Sequence, residues 1–516
     1  MQVHPILTCA ESLAFEQQLL GGDGEKEWAA MNRVGGQLAH QVLLDFNELR
    51  PFPRDPRILV LAGKGHNGGD ALLAGHQLLK ARPRGNVFIL QTDDPDKFKP
   101  NTRKAFDALA GEKNARVLQP EELLPVAENS GFDISLDGLF GMQFTPPFRP
   151  PLEELVPSLN AFEKIGFRAA VDLPSGLGDQ SAAEPLRADF TYATGIPKAP
   201  IFKANALQWT GRIRHIDIGF FDGVTTPTEH LSKILTDSTL APLRRLRHPD
   251  CDKRSFGHLF LLGGSATMPG AILMATRAAL RSGAGLVTAF VPESFAAQFA
   301  AAAPEAMWVP WPETPDGGLS LEGQHILREK LPRANAMAIG PGMGIERETQ
   351  VLVQEILKTT DLPVVLDADA LQPASLDAIK SPAVLTPHLG EMTRLLGGKL
   401  AGNIDEGMDE VLETIREFSA THKVTTLLKG PLTWITDGAS LHVNTFGSPV
   451  LARGGSGDLL TGLLGGLLAQ GQTPFEAAGI ATVWHGMAAE HLARNRGQTA
   501  ATSTLLLNYL HEPIRP

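Results

Sequence analysis

The stretch 449–462, P-V-L-A-R-G-G-S-G-D-L-L-T-G, constrains this chain more than any other. Gly454, Gly455, Ser456 and Gly457 read as a loop that leads into Asp458, and residues 459–470 then form an apolar run with the length of a buried helix. Glycines there let the backbone turn through positive φ and let an anion approach closely. The first turn of the helix leaves N–H groups unpaired, under a dipole contributing about 0.3–1 kcal/mol per nearby negative charge. The loop reads as an anion cradle with Asp458 at its lip. The alternative reading is a glycine-rich helix start with Asp458 as an ordinary cap.

A chain of 516 residues is too long for one ordinary core, so two domains are expected. The net charge of −11 and the lack of any Lys/Arg-rich run exclude nucleic acid as the main partner. Cys9 and Cys251 are the only cysteines, too few for a disulfide framework or a zinc site, which suits a reducing cytoplasm. No run approaches the roughly 18 apolar residues of a membrane span, and residues 1–20 lack a basic-then-apolar leader. A soluble cytoplasmic enzyme acting on small molecules is the expectation.

In chain order, helical spacing covers residues 10–20 and 27–49. The strand candidate 58–62 then runs into the loop Gly63-Lys64-Gly65-His66-Asn67-Gly68-Gly69-Asp70 and a helix over 71–80. Strand, glycine loop and helix present backbone N–H groups to phosphate at the C-terminal edge of a parallel sheet. Further strands are expected at 87–90, 134–136, 169–171 and 213–218, alternating with helices as in a doubly wound α/β sheet. Two of them end in acids, Asp137 and Asp172, where such a sheet places its ligand crevice.

Residues 221–250 turn proline-rich and polar and read as a connection with a short helix near 231–235. Its basic group Arg244-Arg245-Arg247-His248 reads as a solvated turn, with phosphate contact the alternative. The second half restarts at a strand over 259–262. It then places Gly263-Gly264-Ser265, Gly340-Pro341-Gly342-Met343-Gly344, Asp367-Ala368-Asp369, Thr386-Pro387-His388-Leu389-Gly390-Glu391 and Lys429-Gly430 after short apolar strands. Loops at one edge of one sheet converge on one crevice of nucleotide size. His388 reads as a ligand contact and Lys429 as a charge suited to a nucleotide phosphate. Asp367 and Asp369 leave two readings open, magnesium held through water or the fixing of loops.

On the segments Gly63 to Asp70, Asp137 to Gly141, Asp172 to Gly176, Pro197-Lys198 and Asp217-Ile218-Gly219, the first half resembles the NAD(P)HX epimerase family, also called YjeF N-terminal. The resemblance implies a Rossmann-like domain over 1–225 that holds a potassium ion on Asn67, Asp137 and Ser175. It also implies contacts to the hydrated nicotinamide nucleotide from His66, Asn67, Gly68, Gly69, Asp70, Gly141 and Asp172, with Asp172 catalytic. Three departures stand out: His66 where the family has a first Asn, Ala71 for a Gly, and Met142-Gln143 after Gly141 where small residues are usual.

On G-P-G-M-G, D-A-D-A-L, T-P-H-x-G-E, L-K-G and G-G-S-G-D in that order, the second half resembles the NAD(P)HX dehydratase family of the ribokinase superfamily. That implies a ribokinase-like α/β domain over 244–516, after a linker at 226–243. Ala271, Gly342, His388 and Asp458 would contact the hydrate, with Asp458 catalytic. Lys429, Gly430, Pro431, Leu432, Thr433 and Gly457 would hold the AMP part of ADP or ATP, with Mg2+. Together the halves imply a homo-oligomeric enzyme of nicotinamide nucleotide repair. It would epimerise R and S NADHX and NADPHX, and dehydrate the 6S form to NAD(P)H while ADP or ATP is consumed. The alternative is a small-molecule kinase of the same superfamily with a binding-only first domain.

Overall fold

The computed structural model describes residues 3–180, 184–223, 232–398, 400 and 408–515. The chain divides into two compact units, His4–Leu231 and Ser232–Pro516 with the first three residues.

The first unit is built on seven strands whose spatial order is Ala115–Leu118, Asn86–Gln91, Arg57–Ala62, Ile134–Gly138, Arg168–Val171, Phe190–Thr194 and Arg212–Ile216. Every neighbouring pair is parallel. A parallel sheet needs both faces covered, and the apolar run of Arg57–Ala62 supplies both. Ile58, Val60 and Ala62 pack into the core beneath the helices Gly24–Phe46 and His66–Ala81, while Leu59 and Leu61 join the core on the other face. The chain winds outward from Arg57–Ala62 and returns to lay Ile134–Gly138 on that strand's other side. The strand order reverses there, which opens a crevice beyond the C-terminal strand ends. This is the doubly wound sheet expected, with two strands the apolar pattern does not signal. Ala115–Leu118 is a half-exposed edge strand, and Phe190–Thr194 reads F-T-Y-A-T.

The glycine run of this unit is helix rather than loop. The helix begins at His66 with Gly65 as its cap, and glycine serves close packing: a Cβ on Gly68 would lie 1.9 Å from the Gly63 carbonyl oxygen. Ala71 in place of glycine is accommodated from the other side, since a Cβ on Gly138 would meet its methyl group at 2.5 Å.

In the second unit the order is Lys233–Leu235, Leu441–Asn444, Thr433–Thr436, Thr425–Leu428, Ala383–Leu385, Val364–Leu366, Ala336–Ile339, His258–Leu262, Leu286–Pro292 and Met307–Trp311. The strands from Thr425–Leu428 to Met307–Trp311 run parallel, and Thr433–Thr436 makes antiparallel pairs on both sides. The reversal lies between His258–Leu262 and Ala336–Ile339. Against the sheet lies Ser456–Ala469, buried from Leu459 to its last residue. It approaches the helix Pro269–Arg281 closely because Gly462 and Gly466 lack side chains, and Cβ atoms there would sit 2.0 Å from the Ala275 carbonyl oxygen and 1.8 Å from Ser282 Oγ.

Two expectations are corrected. The short helix expected at 231–235 is a strand, Lys233–Leu235, paired in parallel with Leu441–Asn444, and Asp237–Arg244 follows as a 3-10 helix. Ile234 and Leu235 are buried, so the apolar pair covers a sheet edge instead of spacing two domains. The segment 232–243 of the expected linker is therefore part of the second unit, and residues 226–231 lie outside the described residues. The loop expected over 454–457 is likewise shorter, because Gly455 (φ 89°) caps a helix that already contains Ser456, Gly457 and Asp458.

Filling the helix contact is expected to cost about 1–3 kcal/mol, the usual range for overpacking. Gly462→Ala should lower the urea midpoint of the second unit, followed by tryptophan fluorescence, with the first unit's transition unmoved.

Candidate functional site

Beyond the switch point of the first unit lies a cavity of about 600 Å³ lined by His66, Asn67, Asp70, Gly141, Asp172 and Thr194, with Glu16, Lys64 and Lys99 also at its wall. Met142 and Gln143 line it without filling it, and the space left suits a nucleotide fragment. Gly68 and Gly69 are buried in packing, Gly69 against Met31. Asp172 follows the strand Arg168–Val171 in a left-handed conformation (φ 68°), a costly geometry for a residue with a Cβ. Its Oδ1 accepts from Lys198 Nζ at 2.5 Å and from the Thr194 amide and hydroxyl, each at 3.2 Å.

Lys198 is fully buried, donates also to the Thr194 carbonyl at 3.0 Å, and lies 3.9 Å from Glu16. Burial pulls its pKa down, but the Asp172 and Glu16 carboxylates more than restore it. Asp70 has no such partner. Burial, reinforced by Asp172 and Glu16, raises it well above the usual carboxylate range, and its Oδ1 finds no hydrogen-bond partner among the described residues. His66 lies 3.4 Å from Glu27, and burial, with Lys99, still lowers its pKa.

A second cluster adjoins this one. Asn67 donates through Nδ2 to the Phe140 carbonyl at 2.7 Å, and the Phe140 amide donates to Ser175 Oγ at 2.9 Å. Ser175 donates to Asp137 through its hydroxyl at 2.5 Å and its amide at 2.7 Å. Gly141 completes the group, since a Cβ there would lie 3.3 Å from Asn67 Cβ. Burial lifts Asp137 to about 6 despite the Ser175 hydrogen bonds, and Asn67 Oδ1 is buried with no partner among the described residues. A buried carboxylate and an orphaned amide oxygen fit a hard monovalent cation.

At the second unit's sheet edge, Asp367 is the hub. Its Oδ1 accepts from Lys429 Nζ at 2.9 Å and Thr386 Oγ1 at 2.7 Å, and its Oδ2 from Thr461 Oγ1 at 2.6 Å. Burial works against the charge, but these partners, Lys429 foremost, hold the carboxyl below its usual range. Asp367 thus fixes loops, while Asp369 accepts from the Gly344 amide at 2.9 Å through one oxygen only. Gly457 sits directly over the pair: a Cβ on it would lie 3.6 Å from Lys429 Nζ and 3.9 Å from Asp367 Oδ2. Asp458 stands in the first turn of Ser456–Ala469, where burial, reinforced by Asp367, lifts it to about 6 against the pull of Lys429.

His388 caps the helix Leu389–Leu395, its Nδ1 accepting from the Gly390 and Glu391 amides, while its side chain is otherwise exposed. Glu391 returns a bond to the His388 amide and lies 3.9 Å from Lys429. Gly342 (φ 63°) abuts Ala271, and Gly430, Pro431 and Leu432 form the turn from Thr425–Leu428 into the antiparallel strand, which Thr433 opens. The structure thus gathers the candidates of each half at one sheet edge. Arg244 and Arg247 are occupied elsewhere, donating to the Pro513 and Gly283 carbonyls.

Sequence reasoning uses Lys198 and Thr386 only as parts of motifs and passes over Glu16 and Thr461. The available signal for Lys198 is a lone charge inside the apolar G-I-P-K-A-P-I-F. Thr461 carries none, because its role depends on a carboxylate 94 residues away.

Residues 29–199 match the profile of the family described as YjeF-related protein N-terminus, and residues 259–512 that of NAD(P)H-hydrate dehydratase. A bifunctional NAD(P)H-hydrate repair enzyme of Moorella thermoacetica is 34% identical over 89% of this chain and 87% of its own length. The chain belongs to the bifunctional NAD(P)H-hydrate repair enzymes. Another member of these repair enzymes, from Thermosynechococcus vestitus, is 33% identical over 94% of this chain and 92% of its own. An ADP/ATP-dependent NAD(P)H-hydrate dehydratase of Bacillus subtilis, solved with ATP and Mg2+, is 29% identical, with 54% of this chain and 97% of that one covered at a TM-score of 0.46. No helix among the described residues is long and apolar enough to cross a membrane.

Removing one partner of a buried ion pair leaves the other charge without compensation, at a typical cost of 3–5 kcal/mol. Lys198→Met is expected to destabilise the first unit by about that much at neutral pH. Differential scanning calorimetry checks it, with the double variant Lys198→Met, Asp172→Leu expected to recover part of the loss.

Proposed function

We propose that the first unit interconverts the C6 epimers of hydrated NADH and NADPH, and that the second unit dehydrates the 6S epimer to NAD(P)H with ADP or ATP as phosphoryl donor. The observation that carries the second activity is Asp458 in the first turn of a buried helix, with a lysine-neutralised carboxylate behind it. A hydroxyl on a hydrated nicotinamide ring is a poor leaving group until it is phosphorylated. Asp458, at about 6, is mostly ionised at neutral pH and accepts the hydroxyl proton. The amides of Gly454, Gly455 and Gly457 would face the transferring phosphoryl group, where positioning and electrostatics supply nearly all the catalysis. The ring nitrogen lone pair then expels phosphate as a C6=N1 iminium forms, and loss of the C5 proton to water leaves NAD(P)H, phosphate and, from ADP, AMP.

Ala271, Gly342 and His388 contact the hydrate in this reading, and Lys429, Gly430, Pro431, Leu432, Thr433 and Gly457 hold the AMP part. Magnesium keeps several waters and is bound largely by nucleotide phosphates, which suits a site offering Asp369 and Asp458 rather than a carboxylate cage. Its charge would neutralise phosphate oxygens. In the first unit Asn67, Asp137 and Ser175 would hold potassium, which would offset the Asp137 charge. Asp172 would carry the proton chemistry of epimerisation, with His66, Asn67, Asp70 and Gly141 around the nucleotide and Gly68 and Gly69 packed behind them. A cytoplasmic homo-oligomer is the form proposed, in keeping with Cys9 and Cys251 being unpaired.

Incubation with separated NADHX epimers and ADP or ATP tests this: the hydrate should disappear as NADH absorbance returns. A stable phosphorylated product would assign the chain to a small-molecule kinase instead.

The base must be ionised, so ADP-dependent dehydration should fall about tenfold per pH unit below about 6. Asp458→Asn should lose that acidic limb and on the order of 100- to 1000-fold in kcat. Steady-state rates between pH 5 and 8 check both.

A further inference from the structure

We propose that Glu16 is a second catalytic carboxyl of the epimerase site, giving the proton that releases the C6 hydroxyl, with Lys198 returning it from Asp172. This rests on the epimerase reading above. Glu16 lies on the helix Cys9–Leu20, and that helix is pinned to the site at two points. The Cys9 and Ala10 amides donate to the Asp179 carboxylate at 2.9 and 3.1 Å. Just before it, the Leu7 amide donates to the Pro197 carbonyl at 3.0 Å and the Ala199 amide to the Leu7 carbonyl at 2.7 Å, so Leu7 lies beside Lys198. The result is a carboxyl that lines the same cavity as Asp172, with one buried ammonium between them, 2.5 Å from Asp172 and 3.9 Å from Glu16.

The two carboxyls differ in what they can do. Asp172 Oδ1 is held as an acceptor by three donors. Among the described residues Glu16 has only the longer contact to Lys198, and burial, with Asp172 adding and Lys198 and Lys99 opposing, lifts it to about 7. The groups facing it are Lys198, Asp172, Lys99 and Asp70. A carboxyl that keeps its proton beside one held as an acceptor divides the pair into acid and base.

The hydrate carries its hydroxyl on C6, next to ring nitrogen N1. Glu16 protonates that hydroxyl, the C6–O bond breaks, water leaves, and the N1 lone pair forms a C6=N1 iminium. Water adds to C6 from the opposite face and its proton passes to Asp172. Lys198 then gives a proton to Glu16 and takes one from Asp172, which restores the starting state with nothing oxidised, reduced or consumed.

The test uses the full chain without ADP, following each separated NADHX epimer by chromatography after subtraction of the spontaneous rate. Wild-type kcat should decline as pH rises through about 7, because the acid must be protonated. E16Q should lose about 100-fold or more in kcat and lose the alkaline limb. E16D, which keeps the acid, should retain the limb and part of the rate. ADP-dependent dehydration of the 6S epimer should be unchanged in both variants. A merely structural role would lower the rate and leave the limb in place. Wild-type turnover in E16Q, or reduced turnover with the alkaline limb intact, overturns the assignment. A wild-type protein that does not interconvert the epimers above background overturns the epimerase reading with it.

Discussion

A lysine paired with a buried aspartate at the mouth of a parallel sheet is the interaction on which each unit of this protein depends. In the first unit Lys198 neutralises Asp172, and in the second Lys429 neutralises Asp367. Isolated charges in such surroundings would cost several kcal/mol each, so neither partner persists without the other. The pairs also set what surrounds them. Each ammonium compensates one carboxylate, and the further acids within its reach, Glu16 and Asp70 in one case and Asp458 in the other, are left with a raised affinity for protons. A surplus of buried carboxyl over ammonium is the condition for proton chemistry near neutral pH.

The surplus follows from topology. A parallel sheet places all its C-terminal strand ends along one edge, and the reversal of strand order opens that edge into a crevice. The helices that start there bring unpaired amides, and glycine is required where they approach most closely. Gly68 stacks on the Gly63 backbone, and Gly457 lies over Lys429 and Asp367. The substitution of Ala71 for a glycine is absorbed by Gly138, which shows that the fit belongs to the pair of surfaces rather than to one motif.

Much of this was legible beforehand. The apolar runs at 58–62 and 259–262 announce strands buried on both faces, and the acids and glycines after them announce a site at their ends. Less legible were elements whose state is decided by partners. The segment Lys233–Leu235 is a strand because Leu441–Asn444 offers it a sheet edge, and three residues carry no periodicity of their own. His66 opens a helix because Gly68 packs against the Gly63 backbone, and Ser456 opens one because Gly455 caps it in a left-handed conformation, whereas glycine in isolation argues for a loop.

The amino-acid sequence by itself determined the α/β class, the division into two halves and which loops follow the strand ends, because strand burial and glycine requirements are local properties written in residue order. Tertiary structure alone decided which acid meets which cation. Glu16 and Lys198 are 182 positions apart, and Asp367 and Thr461 are 94. Whether a carboxyl is paired, desolvated or left to hold a proton depends on distances of a few ångströms across the fold, and those are set by packing rather than by any spacing along the chain.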